Sequence, residues 1–211
     1  MQKIKQYTTI KGPSEFIYKE KGSEFIARAF PAEKEEDFIK FLNDVKKKYY
    51  DAAHHCYAVK IIDGYTKYSD DGEPGGTAGI RIMNAIEHFY LYDVFLVVIR
   101  YFGGTKLGVG PLGKAYYIAA EGVLNNCEKI LKKAFVKIIV EGDFSLVSQI
   151  HRIFTQNKIK ILQTEYKENV KFDCLVEPDM LNQVKKQLIE ASRGSIAIKI
   201  PDKTLFYQAI E

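Results

Sequence analysis

Between Asp93 and Arg100 the chain runs Val94-Phe95-Leu96-Val97-Val98-Ile99, an apolar stretch without a polar break. It is far shorter than the roughly 20 residues a membrane-crossing helix needs. Its β-branched content and its length fit a strand buried on both faces. Such a strand has no solvent side. It requires a sheet covered on both faces, and it belongs near the middle of that sheet.

The flanking sequence supplies the other layers. Ser14–Lys19 and Glu24–Phe30 read as strands joined by a turn at Lys21-Gly22-Ser23, an opening hairpin. From Pro31 a helical stretch follows, with Phe38, Phe41, Leu42 and Val45 at i, i+3, i+4 and i+7, ending near Lys48. Cys56–Ile62 and Tyr65–Ser69 read as strands around the turn Asp63-Gly64. Thr77 can cap a short helix with Ile82, Ile86 and Phe89 on one face. After the apolar strand, Phe102–Pro111 reads as a glycine-rich loop and Gly113–Asn126 as a helix.

A boundary near Leu131–Ala134 separates residues 1–132 from residues 134–211. The second part has its own rhythm: a strand at Phe135–Glu141, a helix at Phe144–Gln156 with Asp143 as a possible cap, strands at Ile159–Tyr166 and Val170–Glu177, a helix from Pro178 to about Ser192, and a strand at Ser195–Ile200. That is β-α-β-β-α-β, the split βαβ order. A short edge strand is expected at Leu205–Ala209. The fold class is α+β in two domains.

Charge narrows the function classes only partly. The net charge of +4 divides into +3 for residues 1–133 and +1 for the remainder, so neither half is a polybasic tail. The one dense run, Lys46-Lys47-Lys48, falls at a helix C-terminus, where cations are favoured anyway. Cys56, Cys127 and Cys174 are odd in number and far apart, which argues against a disulfide framework and a cysteine zinc site. The first residues, Met1 to Tyr7, lack an apolar signal region. A reducing, cytoplasmic setting without membrane contact is the expectation.

Two loops carry the chemistry. Asp70-Asp71-Gly72-Glu73-Pro74-Gly75-Gly76 can hold a hard cation through its carboxylates, or be an ordinary tight turn that contacts a partner. Gly75, Gly76 and Gly79 around Thr77 can present amides to an anion at a helix start. Arg100–Gly110 combines Arg100, Tyr101 and Phe102 with Gly103, Gly104, Lys106, Gly108 and Gly110. A guanidinium between rings can grip phosphate, a base or a peptide; alternatively Phe102 packs inward and Arg100 pairs with an acidic neighbour such as Asp70 or Asp71. The nucleotide P-loop pattern is absent, and Gly108-Val109-Gly110 lies too far from its strand for a dinucleotide fingerprint. In His54-His55-Cys56, alternation sends His54 and Cys56 to one face and His55 to the other. A nucleophilic Cys–His pair is poorly arranged there, and no serine nucleophile elbow or H-E-x-x-H motif occurs.

These segments resemble the YigZ/IMPACT family, also called the Impact N-terminal domain family, from about Phe25 through Leu124. The resemblance rests on Ala53-His54-His55-Cys56-Tyr57-Ala58, on Asp70 through Gly79, on Val98 through Gly108, and on Ala115-Tyr116. It implies that residues 1–132 have the fold of ribosomal protein S5 domain 2. It further implies that residues 134–211 are ferredoxin-like and similar to the last domain of elongation factor G, so that the pair resembles the fourth and fifth domains of that factor. Eukaryotic relatives act in translational control by competing for a partner of a stress-activated kinase. The resemblance therefore implies a non-enzymatic binding or regulatory protein whose partner is RNA, the ribosome or a translation-related protein.

The expected contact residues are His54, Asp70, Asp71, Glu73, Thr77, Arg81, Arg100, Tyr101, Phe102, Gly103, Gly104, Lys106, Gly108, Gly110 and Lys114, with no catalytic residue, metal or cofactor. Arg81, Arg100, Lys106 and Lys114 would meet phosphate or an acidic partner, and Tyr101 and Phe102 would stack. The family usually has proline at the position of Arg81, glycine at that of Pro111 and arginine at that of Lys114, and lysine keeps the charge but loses the planar fork. The alternative is a small-molecule or metal-dependent enzyme built on Asp70, Asp71, Glu73 and His54.

Overall fold

The computed structural model describes residues 4–201 and 206–210. The chain divides into two compact units, residues 7–131 and residues 132 onward together with the first few residues. The fold is mixed α+β, with a sheet in each unit.

The first unit runs β1 (Gln6–Ile10), β2 (Ser14–Glu20), β3 (Ser23–Pro31), α1 (Glu35–Lys48), β4 (His54–Lys60), β5 (Thr66–Ser69), α2 (Gly79–His88), β6 (Val94–Tyr101) and α3 (Val109–Asn126). Its five-stranded sheet has the order β2-β3-β6-β4-β5, with β6 in the middle. Every neighbouring pair in it is antiparallel. All side chains from Val94 to Ile99 are fully buried. Val94, Leu96 and Val98 pack with Ala115, Tyr116, Ala119 and Ile82 of α3 and α2. Phe95, Val97 and Ile99 pack with Phe38 and Val45 of α1. An unbroken apolar run is more typical of parallel sheets; here an antiparallel sheet is covered on both sides and imposes the same pattern.

The hairpin β2–β3 closes on Lys21 and Gly22, both at positive φ, the two-residue turn that matches strand twist. α1 keeps acidic residues in its first turn and Lys46, Lys47 and Lys48 in its last, in accord with the helix dipole. Against the sequence reading, β4 begins and ends two residues earlier, and β1 adds a strand. The hydroxyl of Tyr7 in β1 donates to the buried carboxylate of Asp93. The largest difference is α3, which starts at Val109 rather than Gly113. Pro111 falls in its first turn, where a missing N–H costs nothing.

The second unit holds β7 (Lys129–Gly142), α4 (Val147–Gln156), β8 (Lys160–Tyr166), β9 (Val170–Val176), α5 (Leu181–Ala191), β10 (Ala197–Lys199) and β11 (Phe206–Ile210). Asp143 accepts the Ser145 N–H and starts a short 3-10 turn that leads into α4. Strand neighbours follow β10-β7-β9-β8, all antiparallel. Ile138, Val140, Phe172 and Cys174 meet Ile150, Phe154, Val184 and Leu188 in one core. β11 pairs with β7; Leu205, included in the expected last strand, lies outside the described residues.

Candidate functional site

Alternation along β6 decides which side chains can meet. Arg100 falls on the α2–α3 face and Tyr101 on the α1 face. The Tyr101 hydroxyl donates to Asp51 at 2.7 Å, and that bond, with some burial, pushes its pKa up to about 12. Tyr101 therefore packs with the α1 layer, away from the glycine-rich segment that follows it.

Arg100 lies at the centre of a buried polar network. Its Nη1 donates to Glu73 Oε1 at 2.7 Å, with side-chain exposures of 7% and 4%. The partner is thus Glu73 rather than Asp70 or Asp71. Tyr116, fully buried in α3, donates to the same carboxylate oxygen at 2.7 Å. Nη2 of Arg100 reaches Ser23 Oγ at 3.3 Å, and its guanidinium lies 5.4 Å from the Phe25 ring centroid and 5.6 Å from that of Phe102. The Cys56 thiol is within 2.9 Å of the Asp70 carbonyl and 3.3 Å of the Tyr116 hydroxyl. Burial pushes that thiol far above its ordinary pKa. Burial therefore favours the thiol form of Cys56, which is not the nucleophilic form. His54 Nε2 comes to 3.8 Å from Glu73 Oε2, and its Nδ1 is 2.8 Å from the Asp71 carbonyl.

The other two carboxylates of the acidic turn are also committed. Asp71 accepts the His55 N–H at 2.7 Å and lies 3.4 Å from Lys46 Nζ. Asp70 accepts from the N–H groups of Gly76, Ala78 and Gly79 at 2.9, 2.9 and 2.8 Å. Of the amides expected to face an anion, those of Gly76 and Gly79 are therefore taken by the chain's own carboxylate. Thr77, expected to cap α2, is buried and donates its hydroxyl to the Pro74 carbonyl at 2.6 Å. Asp70 acts as the cap from a distance. No group of three or more His, Cys, Asp or Glu among the described residues is disposed to hold a metal ion.

Burial pushes the Asp70 carboxyl upward, but the three amides outweigh it and leave its pKa below the ordinary value. A depressed carboxylate contributes stability above its unfolded pKa of about 3.9, and that stability is lost as pH falls through the folded value. Asp70→Ala is therefore expected to cost about 1–2 kcal/mol at neutral pH. Urea midpoints of variant and wild type should converge below about pH 4. A constant gap down to pH 3 would show that the carboxylate's charge is not what matters.

Above the Glu73–Arg100 pair lies a cleft of about 380 Å³, lined by both residues and by Pro74, Phe102, Lys106, Leu107, Gly108, Val109 and Leu112. The acidic turn and the glycine-rich segment thus meet at one solvent-open site. Phe102 and Val109 are 51% and 67% exposed at its edge. Lys106 is exposed and has no ion-pair partner among the described residues. Gly108, at φ 85°, is the N-cap of α3 and offers no side chain to cap it. A second, more polar cleft holds Arg81, Asn84, Gly110, Gly113, Lys114 and Tyr117.

Gly103 packs on the β2–β3 turn rather than toward the cleft: a Cβ there would lie 1.9 Å from the Gly22 carbonyl carbon. Gly104 has open space around it. Three participants lie outside the set of expected contact residues: Ser23, which the sequence marked only as a turn residue, and Cys56 and Tyr116, which it marked as motif residues without assigning them a contact.

The family model for the Impact N-terminal domain matches residues 21–124, and that for a domain of unknown function, DUF1949, matches residues 140–195. The chain is 29% identical over 209 residues to IMPACT family member YvyE of Bacillus subtilis strain 168, covering 98% of this chain and 96% of that one. It is 34% identical over 156 residues to the IMPACT family member in pol 5'region of Thermus thermophilus, covering 74% and 85%. A crystal structure described as a hypothetical protein superposes with a TM-score of 0.70 at 24% identity, covering 95% of this chain and all of that one, and so shares the fold. On these grounds the chain belongs to the IMPACT family, in the form that joins an Impact N-terminal domain to a DUF1949 domain.

Proposed function

We propose that this protein is a non-enzymatic binding protein that acts in translation control through contact with RNA, the ribosome or a translation factor. In this reading residues 1–132 form a domain like ribosomal protein S5 domain 2, and residues 134–211 form a ferredoxin-like domain. The strand order β10-β7-β9-β8 supports the second assignment. The pair then resembles the last two domains of elongation factor G, a likeness of fold.

The observation that carries the reading is charge. Arg81, Lys106 and Lys114 are exposed around the first turn of α3 and have no ion-pair partner among the described residues. Exposed Phe102 and Val109 lie beside Lys106. Arg100 contributes indirectly, as the buried base of the cleft. An enzyme built on Asp70, Asp71, Glu73 and His54 is less well supported, because each carboxylate is already held by amides, a lysine or an arginine.

The test is a salt titration of binding to purified ribosomes. Three phosphate contacts should give log affinity falling against log salt with a slope of about −2 to −3. A flat response, or no sedimentation with ribosomes at low salt, overturns the proposal.

A further inference from the structure

We propose that the cleft above the Glu73–Arg100 pair is a binding site for a small organic acid, with one carboxylate on a compact apolar body. This goes beyond macromolecular contact and does not depend on it. The cleft's volume of about 380 Å³ lies at the lower end of the range for small-molecule sites, roughly 300–1,000 Å³. Pro74, Phe102, Leu107, Val109 and Leu112 supply an apolar lining, which suits a body of a few carbons or one ring.

The polar groups at the cleft select the sign and number of charges. Glu73 and Arg100 cancel one another, which leaves Lys106 as the uncompensated charge of the lining. One net positive charge suits a monoanion better than a phosphate dianion. Two further donors belong to residues that line the cleft. The Nε of Arg100 is buried without a hydrogen-bond partner, on a side chain that is 7% exposed and lines the cleft. In the first turn of α3, Pro111 has no N–H and the Leu112 N–H donates to the Gly108 carbonyl at 2.9 Å; the Val109 N–H, without an intrahelical acceptor at the helix start, remains at the cleft wall. A buried N–H without an acceptor costs stability, and a carboxylate is the acceptor that also suits the lysine and the helix end.

The experiment is a titration of the full chain, labelled with nitrogen-15, with 3-phenylpropionate and separately with its neutral amide, 3-phenylpropionamide. The acid should shift the amide signals of Glu73, Phe102, Lys106, Val109 and Leu112, and bind at least tenfold more tightly than the amide. Lys106→Glu, at an exposed position, should abolish that preference. Val109→Trp, also exposed, should block both probes by filling the edge of the cleft. Equal binding of acid and amide, unchanged acid binding in Lys106→Glu, or signal shifts elsewhere in the chain would overturn the assignment, as would an absence of shifts. Ribosome sedimentation run in parallel separates the two readings, because either can fail while the other holds.

Discussion

Glu73→Ala is expected to destabilise the first unit by about 3–5 kcal/mol, because it leaves the buried Arg100 guanidinium without its counter-charge. The Coulombic attraction at 2.7 Å is only part of the reason. A charge inside a protein costs several kcal/mol in lost hydration, and the partner is what offsets it. The loss should exceed that of Tyr116→Phe, which removes one hydrogen bond to the same carboxylate and should cost about 1 kcal/mol. Replacing both charges, as Glu73→Leu with Arg100→Met, should recover much of the stability, since an apolar pair of similar volume often equals a buried ion pair. Urea unfolding followed by circular dichroism on the four proteins gives the comparison. If Glu73→Ala costs under 1 kcal/mol, the pair does not form the base of the cleft as described.

Gly103→Ala is expected to cost about 3 kcal/mol or more, the upper end of what forced overpacking does. The added Cβ would meet the Gly22 carbonyl carbon at 1.9 Å, its oxygen at 2.2 Å and the Ser23 nitrogen at 2.3 Å. All three are backbone atoms of the β2–β3 turn, so no side-chain rotation relieves the clash. Displacing that turn also pulls Ser23 away from the Gly103 N–H and from Arg100. Gly104→Ala is the control. It sits at φ 84° but meets no atom within 4 Å, so it should pay only the left-handed penalty of about 1 kcal/mol. Thermal denaturation of both variants checks the ranking, and similar losses would mean that Gly103 is chosen for its conformation and not for contact.

The architecture was legible wherever periodicity and turn chemistry agreed. The Val94–Ile99 run announced a strand covered on both faces, the Lys21-Gly22 pair announced a hairpin, and Phe38, Phe41, Leu42 and Val45 announced α1. The order of elements after residue 134 was readable for the same reason. The start of α3 was hidden because Gly108, Gly110 and Pro111 are poor helix formers, so local propensity pointed to a loop. Tertiary packing of Leu112 and Ala115 overrides that preference. β1 was hidden by its lack of alternation: Tyr7, Thr9 and Ile10 are all buried.

The site was legible as a set of segments but not as a set of bonds. Asp70, Asp71 and Glu73 look equivalent in sequence, and three different destinations separate them: backbone amides, a lysine with a strand N–H, and a buried arginine. Those partners lie from 6 to 27 residues away, beyond the reach of local rules. Tyr116 illustrates the same limit. In the sequence it stands out only as the partner of Ala115 in a short motif, yet its hydroxyl joins Glu73 to Cys56 deep in the unit.

We propose above all that the cations around the first turn of α3 form the partner-facing surface of this protein. The most direct measurement is ribosome affinity at one fixed low salt concentration for Lys106→Glu/Lys114→Glu beside Lys167→Glu/Lys186→Glu, which carries the same charge change on the second unit. At least a tenfold loss is expected for the first pair and little change for the second. Equal losses would mean that net charge alone governs binding, and no loss in the first pair would move the contact surface away from the cleft altogether.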